Sequence, residues 1–469
     1  MAFWNRRKSL DVTSHIEASR QLKRTLGWPH LVALGVGAIV GTGIYALIGE
    51  AAGIAGPAVI LSFAIAGAVC VCAALAYAEM ATLMPAAGSS YTYTYAVGGE
   101  VLAWIVGWSL ILEYTVVCSA VAVGWSGYAL GFLNSLGLHL PEALSAGPYA
   151  GGVMNLPAIF ITVVVAAALA AGIRESANVN VALVILKLVA LVVFIALAGS
   201  VFYAGNFTPF MPYGFAKHEA GGHVHGVMAA ASIIFFAFYG FDAVSTAAEE
   251  AKNPSRDLKI GIIGSMVICT LLYMAVAAAA LGAMLYSQFS ADKEPLAIIL
   301  RTLGHPLAAR LIGVAAVVAM PTVILAFMYG QSRIFFVMAR DGLLPQQLGH
   351  VNPRTGSPVA MTVFTAIVVS VIAGIFPLAD IVAVANAGTL AAFIAVLACM
   401  LTLRVRDPQR PRVFRTPWPW VVGVFGILGC IYLFFSLNTK TQTYFLIWNV
   451  IGIAVYFLYS VRSSRLASQ

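Results

Sequence analysis

Charged residues are scarce in this sequence. Asp, Glu, Lys and Arg make up 9% of its 469 residues, whereas hydrophobic residues make up 61%. A soluble globular domain carries about 25% charged residues, and a disordered chain is more polar still. The composition excludes both classes and, with its many long apolar runs, predicts an all-α polytopic membrane protein.

Cysteines are also few, and all six lie in apolar stretches without the spacing of a metal site or a disulfide framework. The three histidines between His218 and His225 lack acidic partners in register, so we interpret them as loop residues. We therefore expect no metal and no cofactor. The net charge of +8 does not indicate a nucleic-acid partner, because the basic residues cluster in short loops.

The apolar runs predict twelve membrane spans. Their approximate bounds are 29 to 54, 57 to 84, 100 to 132, 153 to 172, 178 to 204, 225 to 250, 259 to 286, 307 to 338, 357 to 376, 381 to 403, 417 to 437 and 442 to 461. An even number of spans places both termini on one side. The first 28 residues are polar and basic, so we expect no cleavable signal peptide and a cytoplasmic N-terminal segment 1–28.

Basic residues test this topology. In the twelve-span arrangement the outer side would receive five of them, Lys187 would lie inside a span, and the others would face the cytoplasm. The five are Lys217, Lys293, Arg301, Arg310 and Lys440. The positive-inside rule then predicts a multi-pass protein of the plasma membrane with both termini, including the tail 462–469, in the cytoplasm.

The stretch Gly35 to Leu47, GVGAIVGTGIYAL, lies inside the first span. Each of its four glycines costs a helix interior about 1 kcal/mol relative to Ala, and Gly41 and Gly43 flank the hydroxyl of Thr42. An unwound turn at this depth must have its backbone groups satisfied by protein, water or a ligand. The alternative is a surface for close helix packing, which small residues also favour.

The sixth span has the same character, since Gly240 is flanked there by aromatic residues and followed by Asp242. An offset of five spans reverses the direction of the chain across the membrane. We therefore predict a first repeat at 29–204, a second, inverted repeat at 225–403, and two additional helices within 417–461. The polar stretch Pro85 to Gly99 is expected to lie along the cytoplasmic face or to re-enter the protein.

Ionisable residues inside spans indicate function by default. The candidates are Glu79, Glu113, Lys187, Asp242 and Asp380. Lys187 has no acidic neighbour within a helical turn, and burial disfavours the charged form of an amine. It is therefore a candidate proton carrier, and a purely structural ion pair is the alternative.

Two buried carboxylates each have two interpretations. Glu113 faces the cavity and contacts a substrate ammonium group, or it pairs with Lys187. Asp242 caps the second half-helix by accepting its N–H groups, or it contacts the substrate. The aromatic residues Phe235 and Phe236 point in different directions, and we expect one of them to cover the cavity.

Five segments together resemble the amino acid-polyamine-organocation transporters, and within them the cationic amino acid transporter group. The segments are GVGAIVGTGIYAL at 35–47, ILEYTV at 111–116, VILKLVALVVF at 184–194, FFAFYGFDAVSTAAEEAKNPSRDLKIGI at 235–262 and GQSRIFFVMARDGLLP at 330–345. The resemblance covers nearly the whole chain. It implies a five-plus-five inverted-repeat fold of the leucine-transporter type, with the substrate held between helices 1 and 6.

The resemblance also implies roles for individual residues. The substrate carboxylate would bind the backbone and hydroxyl of Gly41, Thr42 and Gly43, and the ammonium group would bind carbonyls near the helix breaks. Those carbonyls belong to Ile39, Phe236 and Tyr239, with Ala237 between them, and Phe236 matches the family's aromatic gate. Lys187 matches the lysine of proton-coupled members, facing the carbonyls of Gly37 and Val40 and the region of Thr322.

The expected function is proton-coupled symport of L-amino acids by alternating access, without enzymatic activity. Transporters of cationic amino acids need room on the eighth span for a long side chain, and Met320 and Pro321 fill space there. Small neutral amino acids and cationic amino acids are therefore two equal alternatives for the substrate. A proton-independent exchanger and a transport-inactive amino acid sensor are the alternatives. Expected partners are the amino acid, protons and membrane lipid, and a small membrane subunit or a sterol would leave no trace in so apolar a sequence.

Overall fold

The protein is described here from a computed structural model. The structure describes residues 6–9, 25–85, 88–172, 177–220, 223–349 and 358–467. Most of the predicted N-terminal segment 1–28 and several basic residues of the topology prediction lie outside the described residues. Those basic residues are Arg20, Lys23, Arg24, Arg174 and Arg354.

Helices make up most of the described chain. They are α1 (Trp28–Ile39), α2 (Thr42–Tyr45), α3 (Leu47–Ala55), α4 (Val59–Leu83), α5 (Ser89–Val97), α6 (Glu100–Ser135), α7 (Leu156–Ala170), α8 (Ala177–Gly199), α9 (Val227–Ile234), α10 (Asp242–Thr246), α11 (Pro254–Ala283), α12 (Tyr286–Phe289), α13 (Pro295–Thr302), α14 (Pro306–Arg340), α15 (Val359–Ile375), α16 (Leu378–Arg406), α17 (Pro419–Ser436), α18 (Thr439–Val455) and α19 (Val461–Ser463). The strands are β1 (Ser145–Ala146), β2 (Met154–Asn155), β3 (His218–Ala220) and β4 (His223–His225).

The predicted all-α polytopic membrane protein is confirmed, and in the part of the chain that the structure describes the strands form two short antiparallel hairpins, β1–β2 and β3–β4. Within the described residues, nine helical segments are long and apolar enough to cross a membrane. Three shorter apolar helices accompany them, namely α1, α7 and α15. The first long segment, Leu47–Leu83, joins α3 to α4 through a tight turn at Gly56–Ala58.

The longest helices form the centre of the molecule. α6 and α14 pack against each other, with the rings of Tyr114 and Phe327 edge to face at 5.2 Å. Such offset aromatic pairs stabilise a contact beyond the apolar area they bury. The core continues toward α16, where Phe393 contacts Tyr77 at 5.6 Å and Phe241 at 5.2 Å between ring centroids.

The polar stretch between the second and third predicted spans forms a helix of its own. Every residue of α5 is buried, although four of its nine residues are Ser or Thr. Several of its hydroxyl groups bond inside the protein, for example Thr94 Oγ1 to the carbonyl of Ser90 at 2.7 Å. α5 therefore re-enters the protein body, which was one of the two predicted placements.

α18 attaches to the outside of this core through tryptophans. Trp108 Nε1 donates to the carbonyl of Trp448 at 2.9 Å, and Trp448 Nε1 donates back to the carbonyl of Trp108 at 3.0 Å. The rings stack at 4.7 Å between centroids, and Trp104 Nε1 donates to the carbonyl of Gly452 at 2.7 Å. These bonds hold a helix whose other faces are largely exposed apolar surface, as lipid contact requires.

Candidate functional site

The first membrane-crossing element is interrupted at the predicted glycines. α1 ends at Ile39, Val40 is extended with φ −76° and ψ 96°, and Gly41 has φ −154° and ψ −143°. The N–H groups of Ile44 and Tyr45 both donate to the carbonyl of Gly41 at 3.2 Å. The amides that precede them stand at the start of a new half-helix, where backbone N–H groups lack partners within the helix.

A second interruption separates α9 from α10. It consists of a 3-10 turn at Phe235–Ala237 followed by Gly240, which has a φ of 118° that only glycine adopts readily. The carboxylate of Asp242 accepts the N–H of Gly240 at 3.1 Å through Oδ1 and the hydroxyl of Tyr114 at 3.0 Å through Oδ2. Asp242 therefore closes the turn of the break, which is close to its predicted capping role.

The two interruptions touch each other reciprocally. A methyl carbon on Gly43 would lie 2.4 Å from Ala237 Cα, and one on Gly240 would lie 2.9 Å from the carbonyl carbon of Ala38. Each break thus packs against the opposite segment with no space for a side chain. The predicted site residue Ala237 forms part of this contact.

A small cavity lies beside the breaks. It brings together several predicted residues with aliphatic and aromatic side chains of α6 and α14, and Phe236, which is 6% exposed, covers it against Tyr239 with ring centroids 5.0 Å apart. Its lining comprises Ala38, Ile39, Gly41, Thr42, Gly43, Val117, Val121, Phe236, Tyr239, Val323 and Phe327. Phe235 points away toward Phe393 on α16, so the two adjacent phenylalanines do face different directions.

Two polar groups at the first break already have partners. The hydroxyl of Tyr273 donates to the carbonyl of Ile39 at 2.8 Å, so this carbonyl keeps only one lone pair for an ammonium group. Thr42 is fully buried and points its hydroxyl toward Met320 Sδ at 3.9 Å. It packs against Gly124, where a methyl carbon would lie 2.3 Å from Thr42 Cγ2.

Lys187 lies next to the first break, as predicted, and is 1% exposed. Its Nζ donates to the carbonyl of Gly37 at 2.8 Å and to the hydroxyl of Thr322 at 3.3 Å. Two of the predicted neighbours are therefore in place, and the contact with Val40 stays a prediction. The amine thus bridges α1 and α14 at a depth where a cation needs such oxygens.

Glu113 occupies a different position from the one predicted for a substrate ligand. It is 1% exposed and does not line the small cavity. It packs against Gly388 on α16, and its Oε2 atom has no hydrogen-bond partner among the described residues. A buried carboxylate in this environment is strongly penalised unless it binds a proton or a water.

A second, larger cavity of about 190 Å³ includes Thr322, the hydroxyl partner of Lys187, in its lining. Polar side chains surround its other end. There Arg333 pairs with Glu250, donates to the carbonyl of Thr246 at 3.1 Å and lies 4.2 Å above the ring of Tyr329. The cavity therefore extends from Thr322, which accepts a hydrogen bond from Lys187, to a cluster of charged and polar groups.

Sequence reasoning missed Tyr273 and Gly124. Tyr273 lies in an apolar run of α11, and its only local signal is that a buried tyrosine hydroxyl needs a partner. Gly124 is one of many glycines in the chain, and its role depends on Thr42, which is far away in sequence.

Two broken helices that meet at a buried cavity, inside a bundle of apolar helices, define a class of helical membrane proteins with a central small-molecule site. Comparison with known proteins gives the same answer. Residues 26–458 match the family model described as "Amino acid permease". The chain belongs to this family of the amino acid-polyamine-organocation superfamily.

Three relatives show how broad the family is. A branched-chain amino acid permease of Bacillus subtilis is 43% identical over 466 residues, which is 98% of each chain. A methylthioribose transporter of the same species is 39% identical, also over 98% of each chain. A vacuolar cationic amino acid transporter of Arabidopsis thaliana is 36% identical over 86% of this chain and 67% of its own length.

Proposed function

We propose that this chain is a proton-coupled secondary transporter of L-amino acids that works by alternating access. The observation that carries the proposal is the reciprocal contact of the two breaks, Gly43 on Ala237 and Gly240 on Ala38, beside a buried cavity. Broken helices that meet in this way place half-helix ends around a charged substrate near the middle of the membrane. Membership of the amino acid permease family supports a zwitterionic substrate.

The architecture we propose has twelve spans in a five-plus-five inverted repeat with two additional helices. The nine long segments and the three shorter apolar helices together provide twelve crossings, if α1 and α3 are the two halves of the first. The distribution of basic residues supports cytoplasmic termini in the plasma membrane. In this topology the N-terminal end of α1 and the C-terminal end of α14 lie in the cytoplasm, so we assign the larger cavity, which both ends line, to the cytoplasmic side.

Substrate binding follows from the groups at the breaks. We assign the substrate carboxylate to the N-terminal amides of the half-helix, at Gly41, Thr42 and Gly43, where the positive end of the helix dipole adds to the binding. The ammonium group takes the carbonyls of Ile39, Phe236 and Tyr239. Phe236 covers the site and acts as the gate.

The substrate side chain is aliphatic and neutral in our proposal. Val117, Val121, Val323 and Phe327 line the small cavity, and none of its described lining residues carries a carboxylate. A cationic side chain would be buried there without a partner, which costs several kcal/mol, whereas an aliphatic one gains from burial. The similarity to a branched-chain amino acid permease supports this choice. Met320, next to Thr42, limits the length of the side chain.

Proton coupling is assigned to Lys187. Its amine bonds the carbonyl of Gly37 on the broken element and the hydroxyl of Thr322 on α14, and Thr322 lines the cavity that we place on the cytoplasmic side. Loss of the proton weakens this bridge and lets the two elements separate. The protonated and neutral forms therefore stabilise different conformations, which is the condition for coupling.

Uptake of radiolabelled L-leucine, L-alanine and L-arginine into proteoliposomes, with and without an inward proton gradient, tests the proposal. We expect the gradient to drive accumulation of leucine and alanine but not of arginine. Lys187→Ala should abolish gradient-driven accumulation and retain counterflow, whereas Lys252→Ala, at an exposed lysine, should behave as the wild type. Equal accumulation without a gradient would support an exchanger, and binding without any transport would support a sensor.

A further inference from the structure

Residues 6–9 are bound to the face of the protein that contains Glu100, Asp341 and Val461, which we call the terminal face. Arg6 Nη1 lies 3.1 Å from Glu100 Oε1 and donates to the carbonyl of Val461 at 2.9 Å. Lys8 Nζ lies 2.6 Å from Asp341 Oδ2. The backbone N–H of Glu100 donates to the carbonyl of Arg6 at 2.9 Å, so both main chain and side chain are bound.

The residues that bind this segment form a preformed, buried binding site. Glu100 is fully buried and also accepts the hydroxyls of Tyr95 at 2.8 Å and Tyr456 at 2.9 Å. Asp341 accepts the hydroxyl of Tyr91 at 2.7 Å, and the Tyr95 ring lies 5.2 Å from Lys8 Nζ. Buried carboxylates without a cation are costly, so this arrangement calls for a positively charged occupant.

The segment binds through every second side chain. Arg6 is buried, Arg7 is exposed and Lys8 is half-buried, so alternate side chains of an extended segment enter the site. The guanidinium group reaches the deeper carboxylate and the ammonium group the shallower one. Arg7 is therefore a matched control, since it is a basic residue of the same segment without a place in the site.

α5 connects this site to the second broken segment. Two of its residues, Tyr91 and Tyr95, belong to the site. Its first residue, Ser89, shares a hydrogen bond of 2.8 Å with Ser245 of α10. α10 in turn contributes Ala243 and Thr246 to the lining of the larger cavity. The basic segment and α10 thus hold α5 from two sides.

We propose that Glu100 and Asp341 form a docking site for a basic segment with Arg-x-Lys spacing, occupied here by residues 6–9 of the same chain. Its occupancy fixes α5 and thereby restrains the opening of the larger cavity at the terminal face. Release of the segment frees α5 and α10, and the cavity opens more often. The docked segment therefore slows the opening of the larger cavity at the terminal face, independently of which substrate the protein carries.

The test measures how fast the cavity can be reached. Ala326 lines the cavity and is half-buried, and the six native cysteines are buried, so Ala326→Cys provides a single reactive thiol. In the purified full-length protein, Arg6→Gln with Lys8→Gln should raise the rate of labelling by a charged methanethiosulfonate reagent roughly fivefold, because a part-buried attachment is lost. Arg7→Gln should leave the rate unchanged, and Arg6→Lys with Lys8→Arg should stay near it.

A synthetic peptide, MAFWNRRKSLDV, tests docking directly. Added to the double Gln variant, it should restore slow labelling, whereas the same peptide with Gln at the positions of Arg6 and Lys8 should not.

If the double variant loses its folded melting transition, Lys8→Gln alone serves, because that side chain is the more exposed of the two. Unchanged labelling in a folded variant, or an equal rise with Arg7→Gln, would overturn the proposal. Labelling needs no substrate, so it fails or succeeds independently of the transport assignment.

Discussion

Gly43 lies in van der Waals contact with Ala237, and a methyl carbon on Gly43 would lie 2.4 Å from Ala237 Cα and 2.6 Å from Ala237 Cβ. The contact joins the start of one half-helix to the 3-10 turn of the other break. Both partners are backbone or Cβ atoms, which cannot rotate away as the end of a flexible side chain can. The distance between the two breaks is therefore set by the absence of a side chain at Gly43.

Gly43→Ala should damage the site, because the added methyl carbon would meet the backbone of the other break. Overpacking at a rigid contact costs about 1–3 kcal/mol, and here it also pushes the breaks apart. We expect a lower melting temperature and loss of leucine binding in detergent. Gly313→Ala in α14, where the added carbon meets nothing within 4 Å, should instead be neutral or stabilising by up to about 1 kcal/mol. Equal behaviour of the two variants would contradict this account.

Tyr273→Phe removes the hydroxyl that donates to Ile39 at 2.8 Å and keeps the ring in its aromatic cluster with Phe63 and Phe238. The free carbonyl at the end of α1 loses its orientation, at a cost of about 1 kcal/mol. Substrate binding should weaken roughly fivefold, with little change in expression. Tyr286→Phe, at a half-buried tyrosine on α12, is the control, and isothermal titration in detergent measures both. Unaltered affinity would mean that the substrate does not use this carbonyl.

Glu113→Gln tests whether this carboxylate contacts the substrate. Because Glu113 does not line the small cavity, the substitution should leave the preference for leucine over arginine unchanged. Gln preserves the size of the side chain and relieves the penalty of a buried charge, so the melting temperature should not fall. Competition of unlabelled amino acids against labelled leucine measures the preference. A variant that lost leucine binding while remaining folded would show that Glu113 contacts the substrate ammonium group after all.

Lys8 should make the free energy of unfolding depend on pH in the alkaline range. Burial lowers the pKa of its amine from 10.5, Asp341 opposes this, and Arg340 and Arg465 reinforce it. In the window between the lowered pKa and 10.5, the unfolded chain holds a proton that the folded chain has released. The free energy of unfolding therefore rises with pH across that window.

Lys8→Gln removes this contribution. The melting temperature of the wild type relative to the variant should increase as the pH rises from neutral toward 10.5, the ordinary pKa. Lys252→Gln, at an exposed lysine, should show no such trend relative to the wild type. A difference that shrank with rising pH would mean that the ion pair with Asp341 outweighs burial at this lysine.

Local sequence predicted the breaks well, because their cause is local. Glycines at 41 and 43 make a continuous helix costly, and Gly240 adopts a φ of 118° that favours glycine. The isolation of Lys187 in an apolar run also predicted correctly that its amine would seek oxygens on other helices. The helical form of α5 was not predicted, since its nine residues carry no apolar periodicity.

The remaining features depend on residues far apart in the chain. Tyr273 reaches Ile39 across 234 positions, and Thr42 meets Gly124 because two helices cross there. Neither pairing leaves a spacing pattern, since the helices are apolar on several sides. Glu113 was placed near the substrate for the same reason: an all-round apolar helix does not show which of its faces meets the cavity.

The short parallel bridge between Leu26 and Ala251 joins the chain two residues before α1 to the residue after the 3-10 turn Ala248–Glu250, which follows α10. Leu26 donates to the carbonyl of Glu250 at 3.0 Å and accepts the N–H of Lys252 at 2.8 Å. With Gly43 on Ala237 deeper inside, the two interrupted elements are fastened to each other at two levels. We therefore expect the two interrupted elements to move together, because a shift of one alone would break contacts at both levels.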